Sequence, residues 1–170
     1  MFRPLCVATL ALGFLATAAF AANPCAGPGP VHKVDVKKAG WTNVVPANGV
    51  GRTFTATGNH IAGIEVDVVT GNPREGDNDT LTLRLANRRG DVLATVDRTV
   101  VSGKDGWVCF ALPEGGIDVV PGETLDLSLH DTGKVLFGWR YSNDTPKFDP
   151  AKGDFDFGFR VHDGSGVGDS

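Results

Sequence analysis

Thr80-Leu81-Thr82-Leu83-Arg84-Leu85-Ala86 decides the fold. Its three leucines stand two residues apart, with threonine and arginine between them. Successive Cβ atoms of an extended chain point to opposite sides, so this spacing collects the apolar side chains on one face and the polar ones on the other. A helical period would scatter the same leucines around an axis. The stretch predicts a strand with one dry and one wet face.

The same alternation runs outward in both directions. Toward the N-terminus, Ile64, Val66 and Val68 oppose Glu65 and Asp67 within Ile61 to Val69. Toward the C-terminus it continues with Val92, Ala94 and Val96, with Val108, Phe110 and Leu112, with Leu125, Leu127 and Leu129, and with Phe155, Phe157, Phe159 and Val161. Adding residues 31–36, 52–56 and 135–141 gives about nine or ten strands. Between them lie Gly71-Asn72-Pro73, Asn87-Arg88-Arg89-Gly90, Ser102-Gly103-Lys104-Asp105-Gly106, Pro121-Gly122 and His130-Asp131-Thr132-Gly133. These residue types supply the fixed or positive φ values that tight turns need. Half-buried strands joined by short turns predict an all-β fold, an antiparallel two-sheet β-sandwich of jelly-roll-like type, rather than a parallel α/β sheet.

Composition narrows the function classes. The chain has 170 residues, 41% hydrophobic and 21% charged, with a formal charge of -4. An acidic balance argues against nucleic acid as a partner, which calls for a basic face. The first 21 residues carry one cation, Arg3, an apolar run from Leu5 to Phe20, and Ala19-Phe20-Ala21, a small-x-small cleavage pattern. They read as a secretory signal peptide. The run falls short of the roughly 20 residues of a membrane span, so none is expected in the mature chain. Asn23-Pro24 before Cys25 does not fit a lipoprotein anchor. The expected organisation is a signal peptide at 1–21, a single sandwich at 22–163 and a flexible glycine-rich tail at 164–170, in a secreted or periplasmic protein. Cys6 leaves with the signal peptide. Cys25 and Cys109 then form one disulfide, worth roughly 4–5 kcal/mol in the loop-entropy account, or stay as two buried thiols.

The order of landmarks carries a resemblance. Arg52-Thr53-Phe54-Thr55-Ala56, Ile61-Ala62-Gly63-Ile64-Glu65-Val66, Gly106-Trp107-Val108-Cys109-Phe110, Val119-Val120-Pro121-Gly122-Glu123-Thr124-Leu125 and Asp154-Phe155-Asp156-Phe157-Gly158-Phe159-Arg160 together resemble bacterial secreted jelly-roll domains, of the kind of carbohydrate-binding modules and galactose-binding-like domains. The resemblance covers about Val50 to His162. It implies a non-catalytic binding domain whose partner is an extracellular polysaccharide or cell-surface component. Leu125 and the loop Phe148 to Gly153 depart from the pattern, where such domains often carry a tyrosine and a Tyr-x-Gly-Gly-like loop.

Such domains stack aromatic rings on the C–H face of a sugar, while nearby Asp, Asn and Arg groups hydrogen-bond its hydroxyls. Trp41, Trp107, Trp139, Arg140, Tyr141, Asn143 and Asp144 are the candidate ligand-binding residues, with Phe148 a further ring. Trp139 and Tyr141 share a face with Val135 and Phe137, so a place in the core competes with a surface role. Trp107 could instead cover a sheet edge or pack beside a Cys25–Cys109 bridge. Calcium, which takes oxygen ligands, is expected at Asp77, Asp79 or Asp154 as a structural ion. The competing reading makes Glu75-Gly76-Asp77-Asn78-Asp79 a self-capped turn. Otherwise no cofactor is expected.

His32, His60, His130 and His162 show no metalloprotease spacing, and no Gly-x-Ser-x-Gly is present. Arg89-Gly90-Asp91 spells an adhesion tripeptide but sits in an expected hairpin turn. Asn78-Asp79-Thr80 and Asn143-Asp144-Thr145 match a glycosylation pattern that matters only in a glycosylating host. Three functions are left: a glycan-binding domain, a structural or protein-interaction domain of the envelope, and a small extracellular hydrolase whose site assembles from loops.

Overall fold

The computed structural model describes residues 23–27, 29–34, 39–43, 49–70, 77–142 and 156–165, with the backbone alone at 39–43, 142 and 156. Among the described residues thirteen strands run in chain order: β1 (His32–Val34), β2 (Ala39–Asn43), β3 (Val50–Thr55), β4 (His60–Ile61), β5 (Gly63–Thr70), β6 (Asn78–Asn87), β7 (Val92–Val101), β8 (Gly106–Ala111), β9 (Ile117–Asp118), β10 (Thr124–Asp131), β11 (Phe137–Ser142), β12 (Asp156–Phe157) and β13 (Phe159–His162). All pairings are antiparallel. The smaller sheet has the order β3-β10-β6-β7. The larger has β1-β13-β5-β11-β12, with β8 on β5 and β2 on β11, and β4 pairs with β9 alone.

The two sheets bury their apolar faces against each other, as the alternation requires. Leu81, Leu83 and Leu85 of β6 and Leu125, Leu127 and Leu129 of β10 are inaccessible, and they meet Ile64, Val66, Val68, Phe110, Phe137, Trp139 and Phe159 of the larger sheet in one cluster. The all-β, jelly-roll-like sandwich is therefore the fold. No helix among the described residues is long and apolar enough to cross a membrane.

The strand boundaries depart from the expected ones where a residue has to leave the ladder. The run 61–69 divides at Ala62, whose N–H donates to His162 O while its carbonyl accepts from Leu112. The run 155–161 divides at Gly158. There β5 changes partner along one edge: it pairs with β13 over Gly63–Val66 and with β11 over Val68–Thr70. Gly158 sits in the fork, donating to Arg140 O at 2.9 Å and accepting from Asp67 N at 3.1 Å. The indole of Trp139 closes the fork from inside, donating to Gly158 O at 2.8 Å and stacking on Phe157 with centroids 4.6 Å apart. A buried indole N–H needs such a partner.

The disulfide is present between Cys25 and Cys109, with Cα atoms 6.1 Å apart and a sequence separation of 84. It ties the short 3₁₀ turn Pro24–Ala26 to β8.

Candidate functional site

The outward positions of the larger sheet gather charge around one ring. On β5 these are Glu65 and Asp67, on β8 Trp107 and Cys109, on β11 Arg140, and on β13 Arg160 and His162. Trp107 faces Asp67 across the β5–β8 pair, and Arg160 faces Glu65 across the β5–β13 pair. The Arg160 side chain lies over β5 toward the ring, its guanidinium carbon 3.8 Å from the Trp107 centroid. At that distance the π quadrupole attracts the cation.

Two ionic networks flank the ring. In one, Glu65 Oε2 lies 2.9 Å from His162 Nε2 and 3.7 Å from Arg160 Nη1. In the other, Arg140 Nε reaches Asp67 Oδ2 at 3.2 Å and Nη2 reaches Asp105 Oδ2 at 3.6 Å. Asp105, in the turn before β8, is itself held by the end of β5, since its Oδ1 accepts from the Thr70 N–H at 2.8 Å and the Thr70 hydroxyl at 2.9 Å. Burial pushes the Asp67 carboxyl above its ordinary value, and Arg140, by charge and by hydrogen bond, only partly offsets this. The result is a half-buried indole beside fixed guanidinium and carboxylate groups, the chemistry that engages an apolar ring face and its hydroxyls together.

The expected site residues separate. Trp107 and Arg140 stand on this face. Trp139 does not: it has no exposure, and its ring belongs to the interior. This corrects its assignment as a ligand-stacking residue, and the cause is the fork, which needs a large side chain with one donor. Tyr141 is half-buried on the same inward side and meets Phe157 edge-on at 6.2 Å. Trp41 lies in β2 with its backbone opposite Arg140. Asn143, Asp144, Phe148 and Asp154 lie outside the described residues.

Asp79 lies apart from this face. It is buried at the start of β6, and its carboxylate accepts from the Thr132 hydroxyl, from Thr80 N at 2.7 Å, and from Lys134 and Val135 N–H groups at 2.8 and 3.0 Å. Burial alone would raise its pKa, but these hydrogen bonds outweigh it and hold the group below its ordinary value. Both oxygens accept from donors, the arrangement of a cap. The turn it caps is Thr132 to Val135, on another part of the chain, rather than its own acidic run. Asp77 is exposed, and neither residue joins a group of three metal-ligating side chains among those described. Next to Asp79, Asp131 is buried with Oδ1 unpartnered, and burial, with Asp79 adding repulsion, raises its pKa.

Sequence reasoning passed over Glu65, Asp67, Asp105 and Arg160 as site residues. The signal was present in the strand period, which puts Glu65 and Asp67 outward; what it lacked was which strands lie on either side of β5. A Ser–His contact also exists, Ser128 Oγ to His130 Nε2 at 3.0 Å. The two are neighbours along one strand, and no described carboxylate orients the imidazole, so the arrangement of a serine hydrolase is not assembled there.

No protein-family model matches the sequence, and no curated protein matches it. Among solved structures, the chain is similar to CsCBM6-3 from Clostridium stercorarium, a carbohydrate-binding module solved in complex with cellobiose. The identity is 14%, the TM-score 0.36, and the match covers 75% of this chain and 88% of that one.

Proposed function

We propose that the chain is an exported, non-catalytic domain that binds a neutral polysaccharide through the outer face of its larger sheet. The observation that carries this reading is Trp107, an indole held at the surface by Arg160 between two sets of fixed polar groups. A sugar presents an apolar ring face edged by hydroxyls that both donate and accept, and such a face answers both needs. The acids Glu65, Asp67 and Asp105 outnumber Arg140 and Arg160, which disfavours an anionic glycan. Export is supported by the N-terminal apolar segment and by the disulfide, which persists in oxidising compartments.

Depletion from solution by insoluble or gel-immobilised polysaccharides tests it. The full mature chain should be retained by at least one neutral glycan and not by polyuronates at the same ionic strength. Retention by no neutral polysaccharide across a broad panel would refute the proposal. A protein partner is the second reading, favoured by Val92 and Leu93, 50% and 37% exposed at the start of edge strand β7.

A further inference from the structure

On the same outer face a second group of side chains converges, sharing Glu65 and His162 with the network beside Trp107. The turn Pro24–Ala26 brings Cys25, β8 brings Cys109, β5 brings Glu65 and β13 brings His162. Gly63 lets the turn lie flat on the sheet: a Cβ there would stand 2.9 Å from Pro24 Cγ and 3.1 Å from Cys25 Sγ. Asn23 holds the turn by accepting from the Cys25 N–H at 3.1 Å. Ligand atoms of Cys25, Glu65 and His162 all lie within 4.8 Å of one another, and the Cys109 sulfur is bonded to that of Cys25. Among the described residues, His162 is the only buried histidine, and its Nε2 sits 2.9 Å from Glu65 Oε2.

We propose that this cluster is a redox-gated metal site. With the Cys25–Cys109 bond intact it is a covalent staple. Reduced, it presents two thiolates, an imidazole and a carboxylate to one borderline-soft divalent cation of the zinc type. Softness and ligand number decide the class: two sulfurs, one nitrogen and one oxygen suit four-coordinate zinc, whereas calcium and magnesium take oxygen sets. The 2.9 Å between the Glu65 and His162 atoms is within a few tenths of the roughly 3.3 Å that two zinc bonds of about 2.0–2.1 Å subtend in a tetrahedron.

The balance is simple. A dithiol reductant delivers two electrons and two protons to the disulfide and is itself oxidised to a disulfide; the cation then displaces both thiol protons. Cys109, Glu65 and His162 sit on three hydrogen-bonded strands and keep their places without the bond. The Cys109 sulfur lies outside the group of atoms within 4.8 Å of one another, so its side chain has to rotate toward them, and Cys25, on its turn, has to adjust as well.

The test uses the full mature chain, reduced with a phosphine and titrated with Zn2+, and with Co2+ as a spectroscopic stand-in. Reduced wild type should bind one equivalent, with Co2+ giving thiolate charge-transfer and tetrahedral visible bands. The oxidised chain should give neither. His162→Gln and Glu65→Gln should each weaken binding by at least about tenfold, and Cys25→Ser/Cys109→Ser should lose the charge-transfer band. The proposal fails if the reduced chain binds no more tightly than the double serine variant, or if His162→Gln binds as wild type does. It also fails if reduction unfolds the chain and Zn2+ does not restore its β-sheet circular dichroism.

Discussion

The outer face of the larger sheet carries Glu65, Asp67, Arg140 and Arg160 around an indole. That of the smaller sheet carries Thr80, Thr82, Thr95, Thr99 and Ser128, with Arg84, Asp97, Asp126 and His130 among them. Both are the wet sides of strands with the same alternation. On the smaller sheet, hydroxyl side chains meet near neighbours, as in Thr82 Oγ1 donating to Asp97 Oδ1 at 2.7 Å, and neither an indole nor a phenyl ring stands among the residues named. On the larger, long charged side chains lie along the surface and fix one another across three strands. Alternation decides only which side is wet. The chemistry of the wet side follows from which strands are neighbours.

The comparison holds only if the interior treats both sheets alike, and this is where the largest effects are expected. Trp139→Ala should cost about 3–5 kcal/mol and Leu83→Ala about 2–5 kcal/mol in urea unfolding. A Trp139→Ala cost below about 1 kcal/mol would mean that the fork at Gly158 is not held from inside. Next comes Asp79→Ala, at the end of the smaller sheet. It leaves the Lys134 and Val135 N–H groups without their acceptor, and a loss of about 2–3 kcal/mol is expected at neutral pH.

The neighbouring carboxylates Asp79 and Asp131 should respond to pH in opposite senses. Asp79 has a folded pKa below the ordinary 3.8, so its contribution is full above that value and is lost as pH falls through the folded pKa. Asp131 has a raised pKa, so its ionisation costs stability as pH rises from 3.8 through the folded value. Asp131→Asn should therefore be more stable than wild type at pH 7, with the difference disappearing below pH 3.8; equal stability at both pH values would contradict the assignment. The smallest expected effects are on the outer faces. Arg160→Met should lose about 0.5–1 kcal/mol and change Trp107 fluorescence, while Thr82→Ala should stay within about 0.5 kcal/mol and leave fluorescence unchanged.

Much of the fold was legible because the leucine and valine spacing in β5, β6 and β10 admits one period only. The disulfide followed from the two cysteines that lie beyond the expected leader. The site was legible one residue at a time, and its assembly was not. Trp107 and Arg140 could be named, yet Arg160 is far from Trp107 in sequence and reaches it only because β8 and β13 both border β5. For Trp139 the spacing pointed inward, onto the face of Val135 and Phe137, and it was the resemblance to sugar-binding domains that made it a candidate for stacking. Asp79 shows that a dense acidic run can serve a distant turn, which local sequence does not reveal.

The most direct test of the account is the affinity of three proteins, wild type, Trp107→Ala and Thr82→Ala, for the neutral polysaccharide that retains wild type best. The account predicts at least about tenfold weaker binding for Trp107→Ala, about 1.4 kcal/mol, with Thr82→Ala within about twofold of wild type. Unchanged binding by a folded Trp107→Ala, or an equal loss in both variants, would contradict it.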